Sequence, residues 1–177
     1  MIRAIRFAAC LGFSIHPETW KAVKRNAPLI EKVSKERVQQ ELTRILLESP
    51  RPGDAVDALS EAGLLAVILP EVEGMKGQDQ PPEFHPEGDV YTHTIMMLNA
   101  MSDRSLRLAY AVMLHDIGKP GTARNVGGRI RFDNHDRFGS HMTESVMKRL
   151  RFPSDDVKAV SYCVANHMRF MDVKRMR

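Results

Sequence analysis

The hydrophobic residues of this chain recur with the period of an α-helix over most of its length. The clearest stripe follows Ser34, a residue suited to cap a helix N-terminus. Its members lie three, four or one residue apart, as on one helix face: Val38, Leu42, Ile45 and Leu46. The pattern predicts an all-α protein.

Other segments show the same periodicity. Helices are predicted over residues 2–11, 54–62, 91–101, 106–115, 138–150 and 154–167, with another beginning at Pro17. Gly12 is placed to end the first helix, and Pro120 prevents residues 118–121 from continuing one. Residues 125–132, with Gly127-Gly128 inside, are predicted to form a small hairpin or an excursion. The segment 71–89 is rich in glycine, proline and acidic residues, which predicts a loop and a domain boundary.

Length and composition indicate an ordinary globular protein that can bury a real core. No apolar run approaches the roughly 20 residues that cross a bilayer, and the first residues lack the apolar segment of a secretory signal. Cys10 and Cys163 lie far apart and outside any CxxC motif, so neither a disulfide framework nor a structural zinc site is predicted. We therefore expect a cytoplasmic protein without a membrane partner.

The net charge of +4 is unevenly distributed, with basic residues concentrated in 1–51 and 148–177 and acidic residues in 52–102. Basic ends suggest a polyanionic partner, which we expect to be RNA rather than DNA. A solvated helix surface explains any single basic run equally well.

Most of the histidines lie in the second half of the chain. His115 and Asp116 end an apolar helix, where a buried carboxylate is costly unless a cation binds it. His93 lies near the start of the preceding predicted helix, which an antiparallel arrangement would bring close to His115. His135 and His167 follow on two further elements. This pattern predicts a divalent metal site.

The donor types restrict the metal. Neighbouring helical side chains point about 100° apart, so His115 and Asp116 share one ion only near a helix end, or else divide between two ions. Mixed imidazole and carboxylate ligands suit Mn, Fe, Co or Ni and tolerate Mg or Zn.

The series formed by His93, His115-Asp116, His135 and His167 resembles the HD superfamily of metal-dependent phosphohydrolases. The strings RAIRFAACLGF, SKERVQQEL, EGDVYTHT, LHDIGKP and RLRF further resemble the neck, body and HD domain of bacterial class II tRNA nucleotidyltransferases (CCA-adding enzymes) and poly(A) polymerases. The resemblance implies a helical neck and body over 1–70, a linker over 71–89 and an HD domain over 90–177. It also implies that the family's catalytic head is absent, because no Gly-Ser motif followed by paired aspartates is present.

The resemblance implies roles for individual residues. His93, His115, Asp116, His135 and His167 would be metal ligands, with Asp116 bridging if two ions bind. Asp116 and Lys119 would serve catalysis, Lys119 by neutralising a substrate phosphate. A further aspartate ligand is expected beyond Arg177, and Asp172 is the only late candidate within the sequence. Substrates would be phosphomonoesters, 2′,3′-cyclic phosphates or 2′-nucleotides at an RNA end. No role is assigned to the remaining histidines: His16, His85 and His141.

In the first half, Arg3, Arg6 and Arg37 are the predicted RNA-binding residues. Arg37 and Glu41 resemble a neck motif of the family, but an ordinary ion pair one helical turn apart explains them equally well.

Three functions therefore stand side by side. The chain is a metal-dependent phosphohydrolase acting on a phosphate ester, or a non-catalytic body that binds RNA, with tRNA as the expected partner. A third possibility, compatible with the first, is that it is a segment of a complete nucleotidyltransferase that synthesises tRNA 3′ ends or polyadenylates RNA.

Overall fold

The computed structural model describes residues 1–81, 83 and 86–169, and within them it is helical apart from one hairpin, which confirms the all-α prediction. The α-helices are α1 (Ile2–Leu11), α2 (Pro17–Asn26), α3 (Lys35–Glu48), α4 (Pro52–Glu61), α5 (Leu65–Ile68), α6 (Pro70–Glu73), α7 (Val90–Ala100), α8 (Leu106–Leu114), α9 (Lys119–Thr122), α10 (His135–Arg149) and α11 (Ser154–Asn166). A 3₁₀ helix spans Ala27–Lys32, and the hairpin strands are β1 (Ala123–Val126) and β2 (Arg129–Phe132).

The helix ends follow the signals in the sequence. Gly12 ends α1 in the left-handed conformation, with φ 69°. The Ser34 hydroxyl accepts a hydrogen bond from the Arg37 amide at 3.4 Å and thereby begins α3, as predicted. In the hairpin, Gly127 and Gly128 both have positive φ, which a two-residue turn of type I′ demands.

The clearest differences from the prediction lie in three segments. Helix α10 begins at His135 instead of Phe138, because Asn134 adopts the left-handed conformation and turns the chain into the helix. Residues 119–122 form the short helix α9, since proline is accommodated in a first helical turn. Helix α6 occupies the beginning of the expected 71–89 loop.

One hydrophobic core runs through both halves of the described chain. In the first half, α1, α3 and α4 pack around fully buried residues such as Leu42, Ile45 and Leu59. In the second half, α8, α10 and α11 pack around Met113, Met147 and similar residues.

Polar contacts join the first half of the chain to the second. The Asn99 side chain on α7 caps α4: Oδ1 accepts from the Gly53 amide at 2.9 Å, and Nδ2 donates to the Asp54 carboxylate at 2.7 Å. Glycine is required at position 53, because a Cβ there would lie 2.2 Å from the Ile95 carbonyl oxygen. The helices that carry the histidines are therefore held directly against the body.

An ion pair joins α10 to α6. Arg149 donates two hydrogen bonds to the Glu71 carboxylate, at 2.7 and 2.8 Å. Burial raises the pKa of Glu71, but the paired guanidinium outweighs it and leaves that pKa below its ordinary value.

Within the described residues, no helix is both long enough and apolar enough to cross a membrane.

Candidate metal centre

The end of α8 places the first two predicted ligands. The helix ends at Leu114, and the chain turns through residues 115–118. Nδ1 of His115 lies 2.8 Å from the Val112 carbonyl oxygen, to which it donates. Because Nδ1 carries the proton, Nε2 presents a lone pair, and this atom lies 3.0 Å from Oδ2 of Asp116.

Two further imidazoles repeat this arrangement. Nδ1 of His135 donates to the Phe132 carbonyl oxygen at 2.8 Å, and Nδ1 of His167 donates to the Val164 carbonyl oxygen at 2.7 Å. The two Nε2 atoms face each other at 3.3 Å. Metal-ligating histidines are commonly oriented in this way, by an outward hydrogen bond from the nitrogen that does not bind.

His93 completes the cluster from the first turn of α7. Its Nδ1 lies 2.5 Å from a carboxylate oxygen of Glu87, and its ring lies 5.5 Å from that of His115, centroid to centroid. Asp89 starts α7 by accepting from the Thr92 amide at 2.7 Å, which fixes the turn that carries His93. A carboxylate behind an imidazole both orients the ring and raises its basicity as a ligand.

Asp116 lies at the centre, with 2% of its side chain exposed. Oδ2 accepts from Nζ of Lys119 at 2.8 Å. Oδ1 lies 3.4 Å from Nε2 of His135 and 3.7 Å from Nε2 of His167, and it receives no hydrogen bond from the described residues. When both rings are neutral with the proton on Nδ1, neither Nε2 can donate to this oxygen.

These donors fit a divalent cation. They form two groups, His93 with His115 and Asp116, and Asp116 with His135 and His167, and in each group the donor atoms lie within 4.8 Å of one another. Ligand atoms bound at about 2.0–2.2 Å lie roughly 3 Å apart around one ion, close to the separations seen here. Asp116 belongs to both groups. The predicted convergence is therefore present, while the assignment of these residues as ligands stays a prediction.

The protonation equilibria agree with a cation between these atoms. Burial raises the pKa of Asp116, but hydrogen bonds and charge from the neighbouring imidazoles in their protonated form, His115 foremost, hold it well below its usual range. Burial lowers the pKa of His167, but the adjacent Asp116 carboxylate outweighs it, so that pKa is raised. The cluster attracts positive charge, which a proton or a metal ion can supply.

A glycine contact brings α10 to the centre. A Cβ at Gly118 would lie 2.2 Å from the His135 carbonyl oxygen and 2.7 Å from the Gly139 amide nitrogen. Only residues without side chains let the turn after Asp116 and the start of α10 approach so closely. This contact sets the distance between Asp116 and His135.

Lys119 does not project into solvent. It is 6% exposed, and Nζ donates to Asp116 and, at 2.6 Å, to Oε1 of the buried Gln80. Its charge neutralises Asp116, so the expected direct contact with a substrate phosphate is not supported by this geometry.

A cavity of about 790 Å³ opens over the cluster. The hairpin forms one wall, with Phe132 packed 6.3 Å from the His135 ring, centroid to centroid. Arg129 and Arg131 also line this cavity, and sequence reasoning missed both. It also missed Glu87 and Gln80, which lie in the segment predicted only as a loop.

The predicted RNA-binding arginines have different environments. Arg3 and Arg37 are exposed, whereas only 5% of the Arg6 side chain is exposed and its Nε donates to Glu41 at 2.6 Å. Arg6 is therefore not placed to contact RNA. Glu41 pairs with Arg6 across two helices, so the suggested Arg37–Glu41 pair within α3 is wrong.

The remaining histidines lie outside the metal cluster or outside the described residues. His16 caps α2 by accepting from the Glu18 amide at 3.3 Å, and His141 is exposed on α10. His85 and Asp172 lie outside the described residues.

Comparisons with known proteins agree with this arrangement. Residues 12–75 match the family described as a probable RNA- and SrmB-binding site of polymerase A, and residues 90–177 match the HD domain. The Multifunctional CCA protein of Neisseria gonorrhoeae is 35% identical over 181 residues, covering 100% of this chain and 43% of that protein. The chain belongs to the tRNA nucleotidyltransferase and poly(A) polymerase family. The resemblance seen in its motifs is thereby confirmed.

Other relatives in this family give the same picture. The Multifunctional CCA protein of Halorhodospira halophila is 39% identical over 160 residues, with 86% of this chain and 38% of that protein covered. The A-adding tRNA nucleotidyltransferase of Deinococcus radiodurans is 36% identical over 177 residues, with 94% and 40% covered. The chain thus spans about two fifths of the length of these curated relatives.

Proposed function

We propose that the HD domain of this chain is a metal-dependent phosphohydrolase. The observation that carries the proposal is the buried carboxylate of Asp116. It is surrounded by Nε2 atoms of imidazoles whose Nδ1 atoms donate to main-chain carbonyl oxygens. An uncompensated charge in such a place is costly, and a cation offsets that cost.

His93, His115 and Asp116 would hold one ion. His135, His167 and the same Asp116 would hold a second. When bound, such an ion withdraws charge from phosphoryl oxygens and lowers the pKa of a water molecule toward neutrality. The donor set suits Mn, Fe, Co or Ni, and tolerates Mg or Zn. Lys119 donates to the Asp116 carboxylate and balances its charge, and Gln80 accepts from Lys119 and holds that ammonium in place.

The proposed substrates are phosphate esters, namely 2′,3′-cyclic phosphates, 2′-nucleotides or phosphomonoesters. Two features support them: the cavity is large enough for a nucleotide, and its wall offers apolar side chains, Ile130 and Phe132, against which a base can pack. One relative is named an A-adding tRNA nucleotidyltransferase, which supports a role in tRNA 3′-end processing. We therefore propose RNA, and tRNA in particular, as the partner.

Hydrolysis assays test the proposal. The purified protein is incubated with bis(p-nitrophenyl) phosphate and with 2′,3′-cyclic AMP, each with Mn, Ni, Co, Zn or Mg. Metal-dependent turnover should fall by about two orders of magnitude or more in His115→Ala, since even indirect support of a ligand is worth 10–100-fold. His141→Ala, on the exposed side of α10, should retain it. Turnover that is unaffected by chelator or by His115→Ala would refute the proposal.

The match of residues 12–75 to an RNA-binding region favours a second function, a non-catalytic RNA-binding body. This alternative predicts tRNA binding that weakens steeply with salt and is indifferent to chelator. Binding of this kind without hydrolysis of either ester would favour it.

A further inference from the structure

The hairpin over the metal cluster carries two arginines, Arg129 and Arg131, that are not among the proposed metal ligands. Arg129 and Arg131 line the cavity, yet 66% and 60% of their side chains are exposed, so they lie at its rim. Between and beside them, Ile130 and Phe132 are half-buried. Phe132 packs beside the His135 ring and beneath the Lys119 ammonium. The face of the hairpin that carries Phe132 is therefore turned toward the metal cluster.

Strand geometry defines the arginine face. Residues directly opposite in an antiparallel pair share a face, and here Val126 pairs with Arg129 and Arg124 pairs with Arg131. Arg129 and Arg131 are two residues apart on one strand, so their side chains leave the same face about 7 Å apart. This spacing is comparable with that of successive phosphates along an extended strand, so the two guanidinium groups are placed to contact different phosphates.

The ion pairs that Arg129 and Arg131 already form leave both guanidinium groups able to bind a phosphate. Arg129 pairs with Glu83, but both side chains are mostly exposed, and Arg131 lies 3.9 Å from a carboxylate oxygen of the exposed Asp133. Surface pairs of this kind are weak. Lys119, by contrast, is buried against Asp116 and Gln80. The hairpin arginines are therefore the cations along this cavity wall that are best placed to meet an incoming polyanion.

We infer that Arg129 and Arg131 bind the phosphates that precede the scissile ester, so that the site prefers the 3′ end of an RNA strand to a mononucleotide. The inference rests on the proposed phosphohydrolase function and specifies its substrate. A mononucleotide offers these arginines no second phosphate. When the terminal ester of an RNA strand enters the cavity, the preceding phosphates extend across the rim. There the planar guanidinium groups form charge-assisted hydrogen bonds with them.

The test compares two substrates that carry the same reacting group. One is 2′,3′-cyclic AMP, and the other is a short single-stranded RNA ending in a 2′,3′-cyclic phosphate. The double variant Arg129→Ala, Arg131→Ala should raise KM for the RNA by about tenfold or more, since a hydrogen bond to a charged group is worth that order. Its kcat/KM for the mononucleotide should stay within about twofold of wild type.

Arg124→Ala is the matched control, because Arg124 shares the hairpin face with Arg131 but does not line the cavity. It should leave both substrates within about twofold of wild type. An equal loss in Arg124→Ala would show general attraction to polyanions, and an unchanged RNA KM in the double variant would show that the arginines make no contact. Either result overturns the inference.

If the wild-type protein hydrolyses neither substrate, the proposed function fails and the inference is decided by binding. Fluorescence anisotropy of the same labelled RNA should then show at least about fivefold weaker binding to the double variant than to Arg124→Ala. Equal affinity of the two variants would overturn the inference in this case as well.

Discussion

The Nε2 atoms of His135 and His167 lie 3.3 Å apart, while the Nδ1 atom of each ring donates to a main-chain carbonyl oxygen. Two imidazole lone pairs that face each other beside a buried carboxylate repel one another unless a positive charge lies between them. A metal ion or a proton can provide that charge, and the two compete for the place.

Glu87 orients His93, so its loss should weaken metal binding without removing a ligand. Glu87→Gln keeps the shape of the side chain but removes the charge behind Nδ1. Metal affinity should fall by roughly 10–100-fold, as for other partners of ligating histidines. A competition titration with a metal-sensitive dye measures this. The exposed Glu61→Gln serves as control, and equal affinity in the two variants would contradict a supporting role for Glu87.

Lys119 compensates Asp116 most strongly when no cation is bound. Lys119→Met removes the ammonium with little change in size and leaves a buried carboxylate with less compensation, which costs about 3–5 kcal/mol in such pairs. Urea unfolding in chelator should show this loss, and saturating Mn²⁺ should recover a large part of it. If the loss were the same with and without metal, Lys119 and the ion would not act on the same carboxylate.

Gly118 sets the approach of α10, so Gly118→Ala should disturb both stability and the metal site. The added Cβ would meet main-chain atoms of His135 and Gly139, which cannot move without shifting the helix. We expect a loss of about 1–3 kcal/mol in the free energy of unfolding together with reduced metal affinity. Gly74→Ala, whose nearest neighbour would lie 3.2 Å away, should have the smaller effect on stability and none on affinity. Normal metal affinity in Gly118→Ala would show that this contact does not position His135.

The Glu71–Arg149 pair should make stability depend on pH. The pKa of Glu71 is lower in the folded protein than its ordinary value of 4.5, so its contribution is present above that pH and is lost as the pH falls through the folded pKa. Wild type should therefore be more stable than Glu71→Gln at neutral pH, and the difference should shrink in acid. Chemical denaturation of both proteins across this pH range measures it. A difference that does not change with pH would contradict the assigned ion pair.

Local signals in the sequence predicted most helices and the central cluster. Amphipathic stripes, Ser34 and Gly12 determine where helices run and end, because they act through neighbouring residues. His93, His115 and Asp116 were recognisable because a polar pair ending an apolar helix is unusual and the motifs resemble a known family.

Contacts between distant segments could not be predicted in the same way. The preference of Glu41 for Arg6 over Arg37 depends on how α1 packs on α3, and the close approach of Gly118 to Gly139 depends on α10. Glu87 lies in a loop without periodicity. The hairpin was expected, but its position over the metal cluster follows only from tertiary packing.

We propose that Asp116 and the surrounding histidines hold a divalent cation. Elemental analysis of the purified wild-type protein tests it most directly, beside Asp116→Ala and the control Asp155→Ala, an exposed aspartate on α11, with circular dichroism to verify that each is folded. We predict near-stoichiometric metal in wild type and Asp155→Ala, and little in Asp116→Ala. Equal metal content in folded wild type and folded Asp116→Ala would contradict the claim.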